Sequence, residues 1–429
     1  MDAEQIRGLE PLLRAYVDRF ADCFPRRDTR AHFPRYVQGQ LSDLERKSVE
    51  PMALKMDVPV RTLQEFLSQH KWDQDMMRDR LQQIVRDEHR PDGSGGETIG
   101  IIDETSAVKK GDKTPGVQRQ HCGAAGKQEN CIVLVNLAYA CGDFHCLLDG
   151  DLFLPESWSE DRARCQAAGI PDEMVYRPKS EIALEQYRQA KANGVSFDWL
   201  TFDEWYGSKP QFLRALEDEG QNYVAEVPKS FRAWIDPPKV TNRPFRKGKR
   251  GRGRKTPRLV SGGPKLQTVE QLARRHAALR DQDWQRWQIK STQKGPVVWE
   301  VKHTLVFLKD QDGLPSGPYH LIVARNATNP QEVKYFISNA PPKTGLATLL
   351  RVAFSRWRVE RCYEDQKGEV GLDHYEGRRY VGLKRHLILS CVSYLFLSRV
   401  RESQREKKSR VDRVPSPQGR VGTRPKLVA

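Results

Sequence analysis

The chain has 429 residues, enough for two or three domains, and its 38% hydrophobic content is enough to fill a real core. Seventy-two Lys and Arg against 56 Asp and Glu leave a formal charge of +16, which favours a polyanionic partner, with nucleic acid first, and speaks against uncharged substrates. The longest apolar run (387–397) is too short to span a membrane.

Other compositional signals point the same way. The start "MDAEQIRGLEPLLRAYVDRF" is acidic and amphipathic, unlike a signal peptide. Eight cysteines at irregular spacing fit reduced thiols, so a cytoplasmic, nucleoid-associated protein with no membrane partner is expected. Cys122, Cys131, Cys141 and Cys146, with His121 and His145 beside two of them, contain no CxxC pair and are expected to be buried structural thiols.

Residues 1 to about 95 read as helical and carry no strand pattern. Within them, "PMALKMDVPVRTLQEFLSQHKWD" (51–73) predicts two short helices broken near Val58–Pro59. The second would bury Leu63, Phe66 and Leu67 and expose Arg61, Thr62, Gln64, Gln69 and Lys71. A helix-turn-helix reader of DNA, with Arg61 and Gln64 outward, has this pattern, and so does any small helical bundle.

The Gly-rich joint "RPDGSGGET" (90–98) marks a change to strands. "TIGIID" (98–103), "CIVLVNLAYA" (131–140) and "FHCLLDGDLFLP" (144–155) are strand-like, the last two joined by a tight turn at Cys141–Gly142–Asp143. A helix over about 180–193 stops at Gly194, and a strand "SFDWLTF" (196–202) leads to Asp203. A helix over about 208–219 and the strand "NYVAEVP" follow, giving the order βββ-α-β-α-β and a mixed sheet with helical crossovers.

Residues 229–340 interrupt that order with the basic run "RKGKRGRGRK" (246–255) and the strand-like "VVWEVKHTLVFL" and "YHLIVARN". Helical stretches over about 345–368 and 378–400 come next, and the tail from Arg399 reads as basic and loose.

Two acids stand out because each closes an apolar strand: Asp103 after "GII" and Asp203 after "LTF". In a meander followed by a right-handed crossover, the fourth strand can lie parallel beside the first, about 4.8 Å away. Two carboxylates brought that close repel unless a cation lies between them, and hard oxygen donors select Mg²⁺ or Mn²⁺. A third acid is expected from the helix "LATLLRVAFSRWRVERCYEDQKGEVGL". At about 100° per residue, Arg356, Glu360 and Lys367 point one way along this helix and share one stripe. Glu364 lies on the same stripe, and spacing alone leaves it open; an ordinary solvated face with an Arg–Glu pair also fits.

"IIDETSAVKKG", "RQHCGAAGKQENC", "WLTFDEWYG" and "RWRVERCYEDQKGEVGLDHYEGRRYVGLKRH" together resemble the DDE transposases of bacterial insertion sequences. The likeness is to the branch with an RNase H-like core, a β-rich insertion before the last acid and a Tyr-Arg-Glu-Lys signature, and it runs from about Arg35 to about residue 398. It implies an α/β fold, an RNase H-like mixed sheet flanked by helices. The domains it implies are a helical DNA-binding domain at 1–95, a catalytic core at 96–228 and 341–400, the insertion with its basic loop at 229–340, and a basic flexible tail at 401–429.

The same resemblance implies Asp103, Asp203 and Glu360 as the catalytic and metal-binding triad, holding two Mg²⁺ (or Mn²⁺) per site, with Arg356 and Lys367 matching the signature Arg and Lys. The signature Tyr falls at Ala353, a departure that puts its phosphate contact in doubt, and the unusual tail is consistent with a truncated or frameshifted C-terminus. The implied partners are double-stranded DNA, both element ends and target, and a second copy in the DNA complex. A hairpin intermediate is common in this branch.

Arg246, Lys247, Lys249, Arg250, Arg252, Arg254 and Lys255 are expected to track the DNA backbone, as are Lys109 and Lys110 near the acids, a solvated loop being the bland alternative. Trp284, Trp287 and Trp299 lie in the insertion, where the family can stack a flipped base; core packing is the ordinary role for each. Two competing functions remain: a DNA-binding protein of the same ancestry that cannot cut, and a metal-free glycosidase with paired acids, which the net charge disfavours.

Overall fold

Ten consecutive buried residues, Cys131–Ala140, run down the middle of one long strand, and much of the chain is arranged to cover them. The computed structural model describes residues 8–89, 96–242, 256–292, 295–411 and 426–427. The chain divides into two compact units, residues 1–197 with 357–416, and residues 198–356 with 417–429.

The first unit begins with helices α1 (Leu9–Asp18), α2 (Arg27–Leu41), α3 (Val49–Lys55), α4 (Val60–Ser68) and α5 (Gln74–Glu88). Strands β1 (Thr98–Val108), β2 (Gln118–Cys122), β3 (Lys127–Cys141) and β4 (Phe144–Leu152) follow, then helix α6 (Lys179–Ala192). The second unit holds β5 (Trp199–Phe202), α7 (Glu204–Gly207), α8 (Pro210–Asp218) and β6 (Tyr223–Val227). It continues with β7 (Gln285–Thr292), β8 (Gly295–Lys309), β9 (Pro315–Asn326), β10 (Val333–Ser338) and α9 (Leu346–Ala353). The first unit is completed by α10 (Trp357–Asp365) and α11 (Tyr380–Val411).

In the first unit β3 pairs antiparallel with β1, β2 and β4. Helix α6 packs on β3, while α10 and α11 pack on β4, so the strand is shielded on both faces and reads as a continuous apolar run rather than an alternation. The β3–β4 connection is the expected tight turn, with Gly142 at φ +54°.

The N-terminal helices belong to this same unit: α2, α4 and α5 pack around α11. Helix α4 buries Leu63, Phe66 and Leu67 and exposes Arg61, Gln64 and Gln69, as its pattern requires, with Thr62 half-buried. The break before it falls at Met56–Pro59, where Asp57 takes φ +52°. From α11, Arg385 donates to the carbonyls of Leu67 (3.0 Å) and Trp72 (2.8 Å), satisfying groups that the end of a helix leaves open. No unit boundary falls near residue 95.

In the second unit β5 and β6 are parallel, and the inserted strands join the same sheet: Val224–Val227 pair antiparallel with Ser338–Tyr335, and β9, β8 and β7 follow in turn. The β-rich insertion therefore extends the edge of β6 instead of forming a body of its own.

Several expectations need correction. Strand β1 does not end at Asp103; β3 is long enough to hold it in register from Thr98 opposite Cys141 to Val108 opposite Cys131. Strands β2, β7 and β10 were not expected from the sequence. The helix expected over 345–368 is broken by a 3₁₀ turn at Phe354–Arg356, and α10 ends in a π turn at Gln366–Val370. Helix α11 continues to Val411, so the beginning of the expected loose tail is helical. The basic run 246–255, the joint at 90–95 and residues 412–425 lie outside the described residues. Among those described, no helix is long and apolar enough to cross a membrane.

Candidate active site

Along β1 burial is complete except at two neighbouring positions before its last residue, Asp103 and Glu104. Successive strand side chains face opposite ways, so these two acids serve different sides of the sheet. Glu104 forms an ion pair with Lys179, the first residue of α6. Asp103 stands opposite Asn136 of β3, and its Oδ1 accepts from the Glu104 backbone N–H at 2.7 Å. Asn136 in turn stands opposite Gly150 of β4, where a Cβ would lie 2.5 Å from the Asn136 Oδ1; only glycine leaves the amide its place.

The side of Asp103 is met by α10. Tyr363 is buried there, and burial followed by the nearby Asp103 carboxylate pushes its hydroxyl pKa well above the ordinary value. Glu360 is one helical turn before Tyr363 on the same helix, but exposed. Glu364 is also exposed and pairs with Arg361 at 3.4 Å, whereas Asp365 is buried between Arg361 (2.8 Å) and Arg401 (2.9 Å). On α10 Glu360 is thus the outward acid one turn from the residue that senses Asp103.

Asp203 lies in the second unit, immediately after β5 as expected. It is the N-cap of α7: its Oδ1 accepts from the backbone N–H of Trp205 (3.0 Å) and Tyr206 (3.2 Å). Gly207 closes the same short helix against β6, because a Cβ there would overlap the Glu226 carbonyl oxygen. Strand, cap and close approach together fix where the Asp203 carboxylate sits within its unit.

The cations behave differently from the single-stripe expectation. Arg356 lies in the 3₁₀ turn of the second unit and donates from Nη1 to Glu226 at 2.8 Å, while Lys367 lies in the π turn of the first and donates to the Ser106 carbonyl at 3.0 Å. The breaks in the helix remove the constant 100° step on which one shared stripe depends. Lys109 is turned into the protein, donating to the carbonyls of Asp373 (2.8 Å) and Tyr375 (2.7 Å), and burial lowers its pKa to about 8. Lys110 is exposed. Arg61 pairs with Glu65 at 2.7 Å on an exposed face, and Gln64 lines a cleft of about 270 Å³ with Arg378 and Arg379. Arg246, Lys247, Lys249, Arg250, Arg252, Arg254 and Lys255 lie outside the described residues.

Among the insertion tryptophans, Trp287 and Trp299 are core residues, 7% and 5% exposed. Trp284 is half-buried, with the Arg325 guanidinium 4.0 Å and the Lys302 ammonium 4.8 Å from its ring centre. Ala353 is buried, so the position of the signature Tyr carries no polar group. Tyr363, Asn136 and Glu226 were not foreseen, since nothing in one sequence says which residues face an acid across a sheet. No three His, Cys, Asp or Glu side chains among the described residues converge closely enough to hold a metal ion.

A helix-flanked α/β fold with acids placed by its strands is what an RNase H-like nuclease core requires. The sequence profile of the DDE superfamily endonucleases matches residues 19–296, and the chain belongs to that family. The match includes Asp103 and Asp203 and ends before Glu360. The chain is also similar to the "Probable transposase for insertion sequence element IS701" of Microchaete diplosiphon, 30% identical over 215 residues, 49% of this chain and 52% of that protein. It therefore spans about half the length of the curated relative it matches.

Proposed function

We propose that the protein is a DNA transposase that binds the terminal inverted repeats of its insertion sequence and cuts and joins DNA strands with Asp103, Asp203 and Glu360. The observation that carries this reading is the division of labour on β1: Glu104 is tied to Lys179, and Asp103 faces the helix that carries Glu360. Family membership, the IS701 relative and the +16 charge support it.

The donors are carboxylate oxygens, the hard ligands that suit Mg²⁺ or Mn²⁺, and the half-buried Asp103 beside a buried hydroxyl suits a bound cation better than an unshielded charge. Asp103, Asp203 and Glu360 would hold two such ions, which when bound lower the pKa of an attacking hydroxyl and stabilise the leaving 3′-oxygen. The remaining residues position the DNA and the acids. Tyr363 and Asn136 flank Asp103, and the Lys179–Glu104 pair anchors the strand behind it. Arg356 and Lys367 attract the scissile phosphate, an Arg in bidentate fashion, each exchanging a protein acceptor for it. Lys110 and the 246–255 run attract the backbone, and Arg61 and Gln64 meet the repeat at the base edges. Two copies bridge the two element ends. Cleavage and joining are the same in-line displacement, first with water and then with the freed 3′-hydroxyl as nucleophile.

The test is strand cleavage of a labelled duplex carrying the element's own ends, with Mg²⁺ or Mn²⁺. The native chain is expected to cut, and Asp103→Asn, Asp203→Asn and Glu360→Gln to bind the duplex without cutting. Variants that still cut would overturn the residue assignment. A native chain that binds the ends and never cuts would favour the DNA-binding reading, which the buried Ala353 at the signature Tyr position supports.

A further inference from the structure

The first unit carries Asp103 on β1 and Glu360 on α10, and two lysines lace these elements together in opposite directions. From just beyond the end of β1, Lys109 donates to the carbonyls of Asp373 (2.8 Å) and Tyr375 (2.7 Å), in the segment that follows the π turn. From the π turn itself, Lys367 donates back to the Ser106 carbonyl of β1 at 3.0 Å. A lysine turned inward gives up hydration and side-chain freedom, so two of them on one seam set it apart from an ordinary packed contact.

The two ties are unequal. Lys109 stands on a fixed base: its backbone N–H donates to the Asn130 carbonyl, and its own carbonyl accepts from the Asn130 side-chain amide, both at 2.8 Å. Its ammonium has two carbonyl acceptors, whereas Lys367 reaches a single carbonyl among the described residues. Lys47, 4% exposed, adds a hold on the same segment through the Glu369 carbonyl at 2.6 Å. Ser106 and Lys109 are three residues apart, about 10 Å along an extended chain. One tie leaves α10 free to pivot about it, and two at that separation fix its direction along β1. On the proposed reading Lys367 exchanges the Ser106 carbonyl for a phosphate, and Lys109 is then the tie that stays.

We propose that Lys109 is a positioning residue that holds α10 in register with β1 and so sets the separation of the Asp103 and Glu360 carboxylates that receive the divalent cation. It acts through the main chain of residues 373–375 and touches neither DNA nor metal, in place of the backbone contact expected of it from the sequence. The assignment rests on the carboxylate reading above.

The experiment measures Mn²⁺ binding to the full chain without DNA, by loss of the free-ion EPR signal, for the native protein, Lys109→Met and Arg385→Met. The sign of the change separates two roles. An ammonium that acted only by its charge would repel Mn²⁺, so its removal would tighten binding, whereas removal of a tie weakens it. Lys109→Met is expected to weaken Mn²⁺ binding about 10-fold, the lower end of the loss that follows when the support of a metal ligand is removed. Lys109→Met combined with Lys367→Met should lose more than either alone. Arg385→Met removes another inward cation of the same unit, one that holds α4 to α11, and should leave Mn²⁺ affinity unchanged. Hydrogen exchange of the metal-free chain should quicken across residues 357–376 in Lys109→Met and not in Arg385→Met.

Tighter or unchanged Mn²⁺ binding in Lys109→Met would overturn the proposal. So would an equal loss in Arg385→Met, which would make the effect one of general stability, and so would unchanged exchange over 357–376. If the native chain and Asp103→Asn bind Mn²⁺ alike, the carboxylate reading fails, while the exchange data still decide whether Lys109 ties α10 to β1.

Discussion

Arg356 and Glu226 are joined within the second unit by a 2.8 Å hydrogen bond from Nη1 to Oε2, and Lys334 donates to the other carboxylate oxygen, also at 2.8 Å. The Arg356 and Glu226 side chains are only 18% and 13% exposed, so removing one partner leaves charge with little water to solvate it. Glu226→Gln and Arg356→Ala are each expected to lower stability by about 2–4 kcal/mol in urea unfolding. The double variant should cost less than the sum of the two. An Arg356 that served only to contact DNA would leave the unfolding midpoint of the protein unchanged.

Gly207→Ala should act on Asp203 without touching it. The added methyl meets the Glu226 carbonyl oxygen, a backbone atom that cannot turn aside, so α7 must move away from β6 and take its N-cap with it. A loss of about 1–3 kcal/mol is expected from such overpacking. On the proposed reading, metal-dependent cleavage should fall much further than duplex binding. Gly220→Ala is the control: no atom lies within reach of its Cβ, and only the φ of +67° disfavours it, so it should cost stability without a selective loss of cleavage.

His386 predicts an acid limb of stability. Its ring is buried, accepting at Nδ1 from the Tyr36 hydroxyl at 2.8 Å while Nε2 donates to the Gly371 carbonyl at 3.0 Å, and burial lowers its pKa to about 4. The native state thus binds this proton less readily than the unfolded chain, whose histidine titrates near the ordinary 6.5. The stability contributed by the neutral ring is complete above about pH 6.5 and is lost as pH falls towards about 4, for a total of roughly 3 kcal/mol. Urea midpoints measured between about pH 7 and about pH 4.5 should fall more steeply for the native chain than for His386→Gln, which cannot titrate there. Equal slopes would mean that the ring is not held neutral.

How much of the site was legible varied with the kind of interaction. Helix α4 followed its pattern closely, because Leu63, Phe66 and Leu67 recur at the spacing of one helical face and nothing overrides them. Asp203 was placed correctly after its strand because the apolar run "WLTF" ends there and an Asp caps the turn that follows. Asp103 stands out in the sequence for a reason that only partly held: the apolar run does stop at that residue, but β3 holds the backbone of β1 in register for five residues more. A strand continues where a partner satisfies its hydrogen bonds, whatever the polarity of its side chains. The shared stripe of Arg356, Glu360 and Lys367 failed because a periodicity argument assumes an unbroken helix, and this one is broken on both sides of α10.

By itself the sequence determined the mixed α/β class of fold, the net basic charge, the strand that Asp203 follows and the buried face of helix α4. These follow from composition and from local runs, which depend on neighbours a few residues away. Only the tertiary structure decided that Glu104 is bound to Lys179 while Asp103 faces Tyr363, that Lys109 is turned inward, and that Arg356 is held by Glu226. Those outcomes depend on which distant segments meet: residues 104 and 179, or 226 and 356, are strangers along the chain, and only packing decides which charge finds which partner.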